Sequence, residues 1–129
     1  MTVERHGSGV EYESTVGYSR VVRAGSNVWV AGCTAITDDG LIAGPGDPYL
    51  QAQQAISNLE AALAMVGARL QDVVRTRMYV TDIALWEAVG RAHGEAFADV
   101  RPVTAMLEVS ALIDPRMMVE IEADAFIAS

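Results

Sequence analysis

The stretch QAQQAISNLEAALAMVGARLQDVVRTRMYVTD, residues 51–82, holds a helix pattern and a strand pattern in immediate succession. In its first half, apolar residues recur at steps of four and three, which is the spacing of one face of an α-helix. In its second half, the run from Val73 to Thr81 is rich in β-branched and aromatic residues, which indicates a strand. The stretch therefore predicts a helix packed on a sheet. The apolar face of the helix consists of Ala52, Ile56, Leu59, Leu63 and Val66.

Signals at both ends set the bounds of this first helix. Asp47 is a typical N-cap residue, and Pro48 suits the first helical position, where no amide proton is needed. Gly67 indicates the C-terminal stop, since glycine readily adopts the left-handed conformation that ends many helices. The preceding residues 37–48 are rich in Gly, Pro and Asp, so we expect a long loop there.

Strand and helix patterns continue on either side of this unit. Residues 19–24 and 28–34 are β-prone runs separated by Gly25-Ser26-Asn27, which is typical of a hairpin. Asp82 is expected to cap a second helix. The inner side of that helix would carry Leu85, Val89, Ala92 and Ala96.

Two more strands, at residues 103–109 and 117–127, complete the predicted order β-β-α-β-α-β-β. We expect one α+β domain over residues 1–129, in which two helices cover one face of a mixed sheet. The other sheet face then needs a partner. Apolar residues make up 51% of the 129 residues, and this surplus predicts a subunit interface.

The last strand has an unusual acidic face. In VEIEADAF, residues 119–126, apolar side chains alternate with Glu120, Glu122 and Asp124. If this row is desolvated, at least one carboxyl has a raised pKa and can exchange protons near neutrality. If the row is solvated, it is only a polar sheet face, and the pattern alone does not decide between the two.

Charge and residue usage argue against several classes of function. The net charge is -8, and nine arginines with no lysine are scattered among seventeen acids, which disfavours nucleic-acid binding. The lack of lysine also excludes Schiff-base chemistry. No apolar run approaches the ~18 residues of a membrane span, and the N-terminus lacks a signal-peptide core, so we expect a cytosolic protein without membrane contact.

Cysteine and histidine usage predicts neither a disulfide nor a metal site. Cys33 is the single cysteine, and His6 and His93 have no neighbouring ligands at zinc spacing. We interpret Cys33 as a small buried residue rather than a reactive thiol at a cleft wall. We interpret His93 as a partly buried helix residue rather than a catalytic one.

Taken together, five segments resemble the YjgF/Rid (reactive intermediate deaminase) family. They are GYSR at 17–20, VWVAG at 28–32, residues 51–82, the strand that opens at Pro102, and VEIEADA at 119–125. Each segment is a weak signal alone, but their order and spacing from Tyr18 to Phe126 match the family closely. The resemblance implies a chorismate-mutase-like α+β fold assembled as a homotrimer, with small-molecule clefts between subunits. It also implies hydrolysis of enamines and imines without a metal or a cofactor.

Some positions of this sequence match the site residues of the family, and one important position does not. By resemblance, Glu120 would be the catalytic acid that holds water, while Tyr18, Gly32, Thr104 and Ala105 would contact substrate. Archetypal members have an arginine at the position of Thr104, where its fork binds the substrate carboxylate with two hydrogen bonds. Threonine cannot reproduce that geometry.

Three hypotheses about function remain open at this point. The first is a hydrolase of small C=N compounds whose substrate differs from 2-aminoacrylate, with Arg101 or Arg116 as candidates to replace the missing arginine. The second is a trimer that binds a small metabolite without converting it. The third is the endoribonuclease role of some family members, which the charge of -8 disfavours.

Overall fold

The computed structural model describes residues 2–128 as one mixed sheet with two long helices. The strands are β1 (Val3–His6), β2 (Val21–Ala24), β3 (Asn27–Cys33), β4 (Val73–Val80), β5 (Val103–Glu108) and β6 (Val119–Phe126). The α-helices are α1 (Glu11–Val16), α2 (Pro48–Ala64) and α3 (Trp86–Phe97), and short 3₁₀ turns cover Leu70–Asp72 and Ile83–Leu85. The expected mixed α+β sheet with two helices is confirmed.

The strand order is β1-β2-β3-β6-β4-β5. β6 therefore lies in the middle, antiparallel to β3 on one side and to β4 on the other. β4 and β5 are parallel, and α3 forms the crossover between them. Parallel neighbours need such a crossover because a tight turn cannot join them.

Helix α2 forms as its sequence signals predict. Asp47 accepts a hydrogen bond from the amide of Leu50 at 3.1 Å, Pro48 is the first helical residue, and Gly67 has a φ of 78° just beyond the end. All five residues of the predicted apolar face are buried. They pack on the sheet face formed by Val28, Val30, Met78, Val80, Val119, Ile121, Ala123 and Ala125.

Two polar side chains of α2 form hydrogen bonds to backbone groups near the ends of the strands. Gln51 is fully buried, donates to the carbonyl of Arg116 at 3.0 Å and accepts from the amide of Met118 at 2.9 Å. Asn58 donates to the carbonyls of Thr34 and Ile36 at 2.9 and 2.7 Å. These bonds give partners to backbone groups that are not paired within the sheet. Such partners are needed because a buried polar group without a hydrogen bond is costly.

The predicted element order was incomplete at the N-terminus, where β1 and α1 were not expected. Strand β1 has four residues and α1 has six, so neither is long enough to establish a hydrophobic period. Other differences concern bounds. The hairpin turn is Gly25-Ser26 with Asn27 already in β3, and Asp82 caps the 3₁₀ turn that precedes α3 rather than α3 itself.

The sheet face opposite the helices has no covering element within residues 2–128. Exposed apolar side chains on this open face are Trp29, Val103, Leu107 and Phe126. The acids of β6 lie on the same face, while the alternating Val119, Ile121, Ala123 and Ala125 are buried, as predicted. In the described part of the chain, no helix is long and apolar enough to cross a membrane.

Candidate functional site

Gly32 and Glu120 meet where β3 and β6 lose their regular register. The pairing shifts between Val30 and Cys33, so the backbone of β3 bends at Gly32. A Cβ atom built on Gly32 would lie 2.6 Å from Cδ of Glu120. Only glycine lets the β3 backbone approach the Glu120 carboxyl this closely.

Arg20 forms hydrogen bonds both to Tyr18 and to the β3 backbone at Gly32. Its Nη1 donates to the carbonyl oxygen of Gly32 at 2.6 Å and to that of Ala31 at 3.1 Å, and its Nη2 donates to the Tyr18 hydroxyl at 3.2 Å. The Tyr18 hydroxyl, as acceptor of this bond, keeps its own proton for another partner. Arg20 thus fixes the positions of two predicted substrate-binding residues.

The charge of Arg20 is balanced by Glu13. The Arg20 Nε atom lies 3.2 Å from Glu13 Oε2, and both side chains are only 9% exposed. The amide of Ser8 also donates to Glu13 at 2.8 Å. These bonds and the Arg20 guanidinium lower the pKa of Glu13 against the opposing effect of burial. Sequence reasoning missed both residues as site residues, because Glu13 lies in a helix too short to show a pattern and the partners of Arg20 are brought together only by the fold.

The surroundings of Glu120 correspond to the desolvated alternative for the acidic row. Burial raises its pKa, the neighbouring charge of Glu122 raises it further, and Arg20 opposes both effects. The other two acids differ, because Glu122 accepts from the Tyr79 hydroxyl at 2.5 Å and both Glu122 and Asp124 lie within 4.0 Å of Arg77. Among residues 2–128, Glu120 has no such ion pair. The row is therefore desolvated at Glu120 in particular.

Cys33 is buried, as interpreted from the sequence. Burial raises the pKa of its thiol to about 11, although Arg20 acts in the opposite direction. A thiol with that pKa is not ionised near neutrality and is a poor nucleophile. Cys33 is thus a packing residue beside the site.

Thr104 and Ala105 lie in another part of the subunit. β5 is an edge strand, and β4 separates it from β6, which places it roughly 10 Å from Glu120's strand. The register puts Thr104 on the helix-covered face with Thr76, and Ala105 on the open face with Arg77. One subunit therefore brings together Tyr18, Gly32 and Glu120, but not Thr104 and Ala105.

The two arginines considered as replacements at Thr104 have different surroundings. Arg116 is held by both carboxylate oxygens of Asp114, at 3.0 and 2.8 Å. Arg101 has a positive φ of 54° and lines an open cavity of about 380 Å³ with His93, Phe97 and Pro102. No group of three or more His, Cys, Asp or Glu side chains within residues 2–128 is arranged to hold a metal ion.

A model of the Endoribonuclease L-PSP family matches residues 9–127. The chain belongs to this family. The resemblance to YjgF/Rid proteins is thereby confirmed, since a solved relative of the chain carries the YjgF name. One is Rv2704 of Mycobacterium tuberculosis, described as a member of the YjgF/YER057c/UK114 family, which is 50% identical with a TM-score of 0.90. That similarity covers 98% of this chain and 100% of the other.

Two curated proteins are also similar to this chain over most of its length. An uncharacterized Streptomyces coelicolor protein, SCO2049, is 42% identical over 96% of this chain and 92% of its own length. The RutC family protein UK114 of Drosophila melanogaster is 30% identical over 87% of this chain and 80% of its own length. The L-PSP fold thus covers nearly the whole chain.

Proposed function

We propose that this protein is a hydrolase of a small, uncharged C=N compound, an enamine or imine, and that it works as a homotrimer. The cleft would form between subunits, with Tyr18, Gly32 and Glu120 from one and the β5 edge, with Thr104 and Ala105, from the next. Two observations support an assembly of this kind: the uncovered sheet face with its apolar side chains, and the separation of the two groups of residues in one subunit. The family resemblance implies neither a metal nor a cofactor.

The observation that carries the proposal is the desolvated Glu120 carboxyl beside the Gly32 backbone. A carboxyl with a raised pKa is a better proton acceptor than an ordinary surface glutamate, and once protonated it can act as the acid that returns the proton. In the proposed reaction, Glu120 takes a proton from water while the hydroxide oxygen bonds to the imine carbon. Glu120 returns that proton to the nitrogen, which gives a carbinolamine. Glu120 then transfers the carbinolamine hydroxyl proton to the nitrogen, the C–N bond breaks, and the products are a carbonyl compound and ammonia.

The site is unfavourable for a substrate carboxylate. Glu120 and Glu122 contribute negative charge, and the nearest cation, Arg20, is already committed to Glu13 and to two carbonyls. Thr104 offers one hydroxyl where archetypal members offer a guanidinium. An uncharged substrate avoids both problems, whereas 2-aminoacrylate does not.

The proposal is tested with a panel of uncharged imines generated in solution, by following imine decay and ammonia release. Glu120→Gln keeps the shape of the side chain and removes proton exchange, so we expect turnover to fall at least roughly 100-fold. Asp124→Asn is the matched control, because Asp124 lies on the same strand face and does not contribute to the raised pKa of Glu120. Binding of panel members without turnover by the wild-type protein would support instead a trimer that binds a metabolite without converting it.

A further inference from the structure

Three side chains link α3 to the edge of the sheet. His93 Nε2 lies 2.8 Å from Thr76 Oγ1, and Thr76 Oγ1 lies 2.7 Å from Thr104 Oγ1, so each pair is hydrogen-bonded. His93 is 8% exposed and Thr76 is fully buried, whereas Thr104 is exposed on β5. The chain of hydrogen bonds therefore runs from the interior to the residue that replaces the family's arginine.

The number of protons in this chain allows two directions. A threonine hydroxyl has a single proton, so Thr76 cannot donate to Thr104 and to His93 at once. If Thr76 donates to Thr104, His93 must carry a proton on Nε2, and if Thr76 accepts from Thr104, it donates to an unprotonated Nε2. Burial lowers the pKa of His93, so the ring is neutral near neutrality and has only one nitrogen protonated.

Each direction determines what Thr104 presents to its surroundings. If Thr76 donates, Thr104 accepts that bond and, among residues 2–128, makes no other side-chain hydrogen bond that would use its own proton. Its hydroxyl is then left as a donor. If the chain ran the other way, with His93 protonated on Nδ1, Thr104 would donate inward and would present only an acceptor.

We propose that His93 is a positioning residue that acts through Thr76 to hold the Thr104 hydroxyl as a hydrogen-bond donor toward the ligand. The ligand class that fits is an uncharged molecule with an acceptor oxygen, such as a carbonyl, at this position. The inference rests on the proposed function only in placing Thr104 in the ligand cleft. It assigns a role to His93 that differs from simple packing against Phe97, whose ring centroid is 4.6 Å away.

The direction of the chain can be measured without a substrate, by nitrogen NMR of the His93 ring in the full-length protein. We expect the Nε2-protonated tautomer in the wild type and in Thr104→Ser, which keeps the hydroxyl. In Thr104→Val the proton of Thr76 has lost its acceptor, so it turns to His93 and the ring shifts to the Nδ1-protonated tautomer. An Nδ1-protonated ring in the wild type, or an unchanged tautomer in Thr104→Val, would overturn the proposal.

The ligand class is tested with two uncharged probes, pyruvamide and propanamide, which differ by the 2-oxo oxygen. We expect the wild type and Thr104→Ser to prefer pyruvamide, and Thr104→Val to lose roughly fivefold of that preference, the effect of one neutral hydrogen bond. Thr76→Val keeps its shape but no longer directs Thr104, so it should lose part of the preference, which a packing role would leave unchanged.

A wild-type protein that binds neither probe, or a preference unaltered in both valine variants, would contradict the assignment of an acceptor ligand. Neither probe contains the C=N bond of the proposed reaction, and both measurements report binding or protonation only. A failure to find imine hydrolysis would therefore refute the proposed function while leaving these two results to decide the role of His93.

Discussion

Glu120, Glu122 and Asp124 share one strand face, yet their surroundings give them different chemistry. Tyr79 and Arg77 surround the carboxylate of Glu122, and Arg75 and Arg77 lie near Asp124. Glu120 faces the β3 backbone at Gly32, and burial raises its pKa. An unpaired, partly buried carboxylate weakens folding when it is charged, and this cost can be measured.

Replacing Glu120 by Gln should stabilise the protein near neutrality and give no gain at about pH 4. The sign follows from the raised pKa in the folded state. Above that pKa the folded protein must hold a desolvated carboxylate, whereas below the unfolded value of about 4.3 the group is protonated in both states. Urea unfolding at the two pH values measures the difference. Asp124→Asn should show no gain near neutrality, because Asp124 lies within 4.0 Å of Arg75 and Arg77, and an equal effect of Glu120→Gln at both pH values would contradict the assignment.

Thr104 gives a second prediction at the residue scale. Wild-type protein should act weakly on 2-aminoacrylate, and Thr104→Arg should raise that activity because it restores a two-point contact for the carboxylate. Release of 2-oxo acid from 2-aminoacrylate generated in solution measures the effect, with Thr104→Ser as the control. Wild-type activity equal to that of Thr104→Arg would mean that another arginine already binds the carboxylate.

At the scale of elements, sequence reasoning succeeded where a period is long enough to repeat. The spacing of Ala52, Ile56 and Leu59 predicts the buried face of α2, and the alternation in residues 119–126 predicts the two faces of β6. It failed for β1 and α1, which are too short to repeat a period. It also failed for Arg20, whose partners are brought together only by the tertiary fold.

Strand pairing was another limit of the sequence. A hydrophobic pattern shows which side of a strand is buried, but it does not name the neighbours of that strand. The sequence predicts a mixed sheet, but the central position of β6 and the parallel pairing of β4 with β5 come from the structure. The separation of Thr104 from Glu120 follows from that order, so the site could be predicted only as a set of residues.

Two glycines provide a matched test of how far the elements constrain their backbone. Gly94 lies in the interior of α3, and a Cβ added there would meet no atom within 4 Å. Gly94→Ala should therefore stabilise the protein by about 0.5–1 kcal/mol, because alanine has less backbone freedom to lose on folding. Gly32→Ala should destabilise it, because the new methyl group displaces Glu120.

Urea unfolding of both glycine variants measures these effects. The double variant Gly32→Ala with Glu120→Ala should recover part of the stability lost in Gly32→Ala, because the contact is removed from the other side. Independent, additive effects of the two substitutions would show that the close approach between β3 and Glu120 does not exist in solution.

At the scale of the whole molecule, the open sheet face predicts self-association. Light scattering should give about three times the chain mass of 13.8 kDa. Leu107 is 49% exposed on this face, and Leu107→Arg should reduce the mass by burying a charge in the interface. Leu41 is 59% exposed in the loop before α2, and Leu41→Arg is the control that should keep the wild-type mass. A wild-type mass of one chain at micromolar concentration would exclude the trimer.

The central position of β6 also has a consequence for protein synthesis. The ribosome makes β6 after both of the strands that it joins, β3 and β4. Until then the nascent chain holds two partial sheets whose backbone groups and apolar faces have no partner, and such segments are prone to aggregate. We therefore expect no stable folded intermediate on the ribosome before β6 has left the exit tunnel. Translation products that stop before Val119 should be substrates for chaperones and proteases rather than shorter working forms of the protein.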